Sequence, residues 1–134
     1  MTEGLVLETA AFLDLLLGTA EGRSVRETIR GREVHVADHE KVGVGVALRA
    51  LHRGGQLSPA VLERKVRQLV AAPFRAHPAR ELLVAAVARH DLRLGDALCV
   101  ELSYRLAVPL ITTDSRLAAA WPRSWLVTAV PAES

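Results

Sequence analysis

Apolar positions along the chain follow two rhythms, short continuous runs and longer stretches in which they recur every third or fourth residue. LVLET (5–9) is a run too short for a helix, and REVHVA (32–37) alternates as a strand does. Between them, AAFLDLLLG has helical spacing and a glycine stop at Gly18, and EGRSVRETIR (21–30) reads as a polar helix carrying Val25 and Ile29 on one face. DHEKVGVGVALRALHRGG (38–55) predicts a helix that Asp38 can cap, with Val44, Leu48 and Leu51 on one face and Gly54-Gly55 at its end. SPAVLERKVRQLVAA (58–72) opens with Ser58 as cap and Pro59 in the first turn. A Pro-containing linker precedes a helix over 79–90, ARELLVAAVARH. Then come a helix over 96–107, a strand PLITT (109–113) and a last strand candidate in SWLVTA (124–129). There is no internal repeat and no low-complexity tract.

Short apolar strands separated by helical crossovers predict an α/β fold, a short parallel sheet flanked by helices on both faces. Ligands of such sheets gather beyond the carboxyl ends of the strands. Glu8 ends the first predicted strand and Asp114 follows PLITT. Asp96 opens the helix that runs back before PLITT, so its N-terminus lies at the same sheet edge. Three carboxylates are thereby expected at one place.

Composition narrows the setting. The 134 residues suit one domain over 1–134, half of them hydrophobic and 24% charged, a globular rather than a disordered balance. Lys and Arg exceed Asp and Glu only as 17 to 15, so charge alone does not demand a nucleic-acid partner. The lone Cys99 excludes an internal disulfide and suits a reducing cytoplasm. No secretory leader pattern and no membrane-spanning apolar run is visible.

Clustered carboxylates repel one another unless a cation sits among them. Oxygen donors without His or Cys suit Mg²⁺ or Mn²⁺, and ions held this way activate water against a phosphodiester. Each acid also has a plainer reading: Asp96 and Asp114 as helix or turn caps, Glu8 as a strand-end acid in solvent. Other candidates carry less. His35 and His39 straddle a strand–helix boundary and lack a third zinc ligand, while His52, His77 and His90 read as surface or helix-end residues. Cys99 reads as packing. GVGVA lacks the context of a dinucleotide-binding turn. Trp121 and Trp125 can close one end of a core or stack on bases, and Arg23, Arg26 and Arg30 can form a solvated flank or meet RNA phosphate.

LVLETAAFLDLLLG, HVADHEKVGVGVALRALHRGG and LRLGDALCVELSYRLAVPLITTDSRL together resemble a PIN domain of the VapC toxin type, from about residue 4 to residue 120. The most specific part is the last, where Asp96, Thr112, Asp114, Arg116 and Leu117 match a DA-x-x-V helix, a short strand and T-x-D-x-R-L. The resemblance implies a PIN-like sheet of about four to five strands. It further implies Mg²⁺ or Mn²⁺ held by Glu8, Asp96 and Asp114, cleavage of RNA, inhibition by a VapB-like antitoxin, and a homodimer away from membranes. Two positions depart from the pattern. Glu8 stands where the family has aspartate, and the family's second acid, a glutamate early in the next helix, falls on Gly43. Glu40 lies three residues earlier on nearly the same helical face, although the helix start is expected to hold it a turn too far out. Small residues at Gly43 and Gly45 offer a packing explanation, a helix lying close against the sheet. Two functions therefore stay open, a metal-dependent ribonuclease and a degenerate PIN domain that binds RNA or protein without cutting. An aspartyl-phosphate phosphatase is excluded, because LETA has no D-x-D.

Overall fold

The computed structural model describes residues 3–129. Its centre is a strand β1 (Gly4–Leu7), paired in parallel with β2 (Glu33–Ala37) on one side and β4 (Leu110–Thr112) on the other. Two further parallel strands, β3 (Arg75–His77) beside β2 and β5 (Ser124–Leu126) beside β4, complete the order β3-β2-β1-β4-β5. Chain order reverses direction at β1, so the crevice between the carboxyl ends of β1 and β4 is the switch point where ligands enter such sheets.

Helices α1 (Thr9–Leu17), α2 (Ala20–Ile29), α3 (His39–Arg53) and α4 (Pro59–Ala71) contribute to one core cluster. Helices α5 (Ala79–Arg89), α6 (Leu94–Leu106) and α7 (Ser115–Ala120) contribute to another. Side chains alternate across the strands accordingly: Leu5, Leu7, Val34, Val36 and Ile111 join Phe12, Val44 and Leu48 in the first cluster. Val6, Ala37 and Leu110 join Leu98, Cys99 and Leu102 in the second. A strand buried on both faces reads as an unbroken apolar run, which is why LVL and LI carry no alternation. Gly18 ends α1 in the left-handed region at φ 69°, which favours glycine. Gly22 is demanded by contact, since a Cβ there would collide with the Asp14 carbonyl where α1 and α2 cross.

Several expectations need correction. Asp38 does not cap α3: its backbone is already helical, and its Oδ1 instead accepts from the Ala79 N–H at 2.9 Å. The linker between α4 and α5 holds β3, hidden in the sequence because it is a three-residue edge strand, Arg75-Ala76-His77, between Pro73 and Pro78. Helix α7 was not expected, and α6 begins at Leu94, two residues before Asp96. His77 is not a loose surface residue, since its Nε2 lies 2.8 Å from His35 Nδ1 across β2 and β3. His90 meets the buried Glu101 at 3.2 Å. The tryptophans part company: Trp121 packs on the second core and donates to Ser103 Oγ, whereas Trp125 is 42% exposed under the Arg32 guanidinium.

Candidate active site

Backbone geometry at the end of β1 decides what Glu8 does. The residue is the N-cap of α1, and its carboxylate accepts from the Ala10 and Ala11 N–H groups at 2.9 Å each. Thr112 at the end of β4 donates at 2.8 Å to Oε1, the oxygen that Ala11 also engages, while Ala10 engages Oε2, and this ties the two central strands together. Glu8 is therefore not a solvent-facing strand-end acid; it is only 3% exposed. Burial pushes its carboxyl above the usual range, the three hydrogen bonds pull it back, and the Asp96 charge raises it again.

Asp114 begins α7 and caps it, its Oδ1 accepting from the Arg116 N–H at 2.9 Å. The plainer reading of Asp114 as a cap is thus correct in geometry, and the residue also faces the cleft. Asp96 is no cap. It lies in the first turn of α6, where the helix dipole favours its charge, and its Oδ2 sits 3.6 Å from Arg93 Nε. Both aspartates are about three-quarters buried.

Glu8, Asp96 and Asp114 line one cleft of about 390 Å³ together with His39, Gly43 and Arg93. A second hollow of about 180 Å³ shares Arg93, Asp96 and Asp114 and adds Arg116. The acids thus meet at the sheet edge as expected, but they are not drawn into a ready-made chelate. Among the described residues, no three His, Cys, Asp or Glu side chains form a group able to hold a metal. The physical reason is local: Glu8 is turned onto α1, Asp114 onto α7, and Asp96 towards Arg93. The donors nonetheless suit a hard cation in kind. Mg²⁺ is commonly held by one or two carboxylates with waters and substrate phosphate, and Asp96 and Asp114 keep oxygens free for that role. Glu8 has three of its roughly four lone-pair sites already engaged.

Gly43 lines the cleft where the resemblance places an acid. Packing does not require glycine there, because a Cβ would meet only Thr9 Cγ2 at an ordinary 3.5 Å. At Gly45 the nearest atom is Leu69 Cδ2 at 4.0 Å, so close approach of α3 does not explain that glycine either. Glu40 is not displaced outward. It is fully buried, its Oε2 accepts from the Ala37 N–H at 2.8 Å, and it lies against Cys99. Burial holds its carboxyl well above the usual range, the Ala37 N–H and Cys99 thiol act against this, and the Glu8 charge adds to it. Cys99 is buried, as its apolar neighbours suggested, and the same acids help burial push its thiol up.

Two cleft residues were not legible as such. His39 was weighed only as a zinc ligand; burial lowers it below the usual histidine range, partly offset by the Gly95 backbone, Asp38 and Asp96. Arg93 precedes Asp96 by one helical turn, and that spacing was its only signal. The Arg row of α2 lies elsewhere: Arg23 borders a larger groove of about 510 Å³ with Trp125, and Arg30 pairs with Glu27 at 2.8 Å.

An all-parallel five-stranded sheet with helices on both faces and acids at its switch point is a PIN-like fold. The chain resembles the PAE2754 crystal structure from Pyrobaculum aerophilum, with TM-score 0.68, 22% identity, and 95% and 92% of the two chains covered. A toxin–antitoxin complex from Klebsiella pneumoniae matches with TM-score 0.67 and 19% identity over 94% and 99% of the chains. No family model matches the chain. Its sequence is 38% identical over 122 residues to Ribonuclease VapC3 of Mycobacterium tuberculosis, covering 90% of this chain and 89% of that protein. Ribonuclease VapC12 of the same organism is 33% identical over 124 residues, covering 85% and 89%. The chain belongs to the VapC ribonuclease family. Among the described residues, no helix is long and apolar enough to cross a membrane.

Proposed function

We propose that this VapC-family protein is a single PIN-like domain over residues 1–134 that hydrolyses RNA phosphodiester bonds with Mg²⁺ or Mn²⁺. The observation that carries this reading is the meeting of Glu8, Asp96 and Asp114 in one cleft at the carboxyl edge of β1 and β4. Asp96 and Asp114 would hold the cation directly, and Glu8 would add charge and one remaining lone pair. Bound there, the ion would supply charge neutralisation at the oxygens of the scissile phosphate and an acidified water. The chain's own residues do the positioning. Thr112 fixes the Glu8 carboxylate and, through its hydroxyl oxygen, accepts from the Asp114 N–H at 2.9 Å, so the two strand ends move as one unit. The exposed Arg93 and Arg116 guanidinium groups stand beside the aspartates, where they can meet RNA phosphate.

Identity to proteins named as ribonucleases supports cutting over binding alone. Membership of the family also supports regulation by a VapB-like antitoxin, a homodimeric state and a cytoplasmic setting. The test is cleavage of a structured RNA by the purified chain in EDTA, Mg²⁺ or Mn²⁺, alongside Asp96→Asn. Cleavage that needs metal should fall by at least about 100-fold in the variant, the upper range for disturbing even an outer partner of a metal site. Cleavage that survives in EDTA or in Asp96→Asn would overturn the assignment.

A further inference from the structure

Four buried side-chain polar atoms among the described residues have no hydrogen-bond partner, and three of them sit on consecutive residues at the start of α3. They are both ring nitrogens of His39 and Oε1 of Glu40. Buried polar atoms without partners are rare enough to need a cause, and a missing ion or water is a common one. Glu40 is the stronger case. It is 0% exposed, its Oε2 is already engaged by the Ala37 N–H, and only Oε1 is left over.

Its surroundings are anionic. Glu8 acts on it from the end of β1, Cys99 touches it from α6, and no Lys or Arg contributes to its environment. Cys99 stands one helical turn after Asp96, so the elements meeting around Glu40 are the ones that carry the cleft acids. A buried acid beside another acid either keeps its proton or is matched by a cation, a side chain or a bound metal. Among the described residues no Lys or Arg pairs with Glu40. Gly43, one turn further along α3, leaves the family's second acid vacant.

We propose that Glu40 Oε1 supplies the carboxylate ligand that Gly43 lacks, reaching the cation from beneath the cleft beside Glu8 and Asp96. The inference rests on the metal-dependent reading above and names a different ligand for the same site. It assigns the orphaned atom a partner without disturbing the Ala37 contact, since that bond uses the other oxygen.

Mn²⁺ binding separates this inference from the reading beneath it. Titration of the full chain, followed by the paramagnetic signal of free Mn²⁺, should give measurable affinity in the wild type. Glu40→Gln should weaken that affinity by about 10–100-fold, and Gly43→Glu added to it should restore binding. If Glu40→Gln binds as the wild type does while Asp96→Asn loses the ion, the site stands without Glu40 and the inference fails. Should the wild type not bind and Gly43→Glu bind, Glu40 again fails while the frame survives. No binding by either would overturn both. If Glu40→Gln does not fold, Glu40→Asp withdraws the carboxylate by one methylene, and undiminished Mn²⁺ binding by that variant would equally overturn the inference.

Discussion

Of the buried glutamates, Glu40 at 0% and Glu101 at 1% exposure have opposite surroundings. Glu101, on the inner face of α6, is surrounded by partners: the guanidinium groups of Arg105 at 2.8 Å and Arg89 at 3.7 Å, and the His90 ring at 3.2 Å. Arg105 also donates to the Glu81 carbonyl at 2.8 Å, so the cluster fastens α5 to α6. Glu40 has one backbone N–H, a thiol and another acid. The first arrangement is what a fold does with an acid it uses as a fastener. The second leaves a buried carboxyl with no cation beside it, which burial favours in its protonated form without metal, and such perturbed acids cluster at sites of chemistry.

Stability measurements can break this contrast. Glu101→Ala should cost about 2–3 kcal/mol in denaturant unfolding, below the full cost of breaking a buried pair because Arg89 and Arg105 can return to water. A loss near zero would mean that the cations do not need it. Glu40→Gln keeps an acceptor for the Ala37 N–H and should cost far less.

The pH dependence sharpens the comparison. Burial raises the Glu40 carboxyl above its unfolded value, so the folded chain binds the extra proton between those two values. Its stabilising contribution is therefore complete below the unfolded value and is lost as pH rises through the folded one. Without metal, the unfolding midpoint of the wild type should fall relative to Glu40→Gln as pH is raised from acid towards alkaline. Some decline should remain in the variant, because Glu8 is shifted in the same direction. Parallel curves for the two proteins would show that Glu40 is not held in its protonated form by the fold.

The smallest effect belongs to Gly43. With an open approach to its Cα face and ordinary helical backbone, Gly43→Ala should stabilise the chain by about 0.5–1 kcal/mol. Destabilisation would reveal a packing need that the 3.5 Å contact to Thr9 does not indicate.

Much of the frame was legible because its signals are local. Apolar runs and helical spacing located β1, β2, β4 and six of the seven helices among the described residues, and short strands joined by helical crossovers placed Glu8, Asp96 and Asp114 at one edge. Strand β3 escaped because the three residues Arg75, Ala76 and His77, set between prolines, are too few to show a periodicity, and α7 because it is only six residues long.

Charge placement was the harder matter. Glu40 looked like an acid stranded too far out, and Gly43 like a concession to close packing. The packing explanation fails at Gly43, and the burial of Glu40 was not visible, because both depend on what another element brings alongside: Thr9 for Gly43, Cys99 on α6 and the end of β1 for Glu40. The sequence by itself determined the order of elements, the two-sided core and the sheet edge at which acids collect, since these follow from neighbours along the chain. Only the tertiary structure decided which acids are capped, paired or left without a partner, because desolvation and hydrogen bonding are properties of surroundings assembled from distant segments.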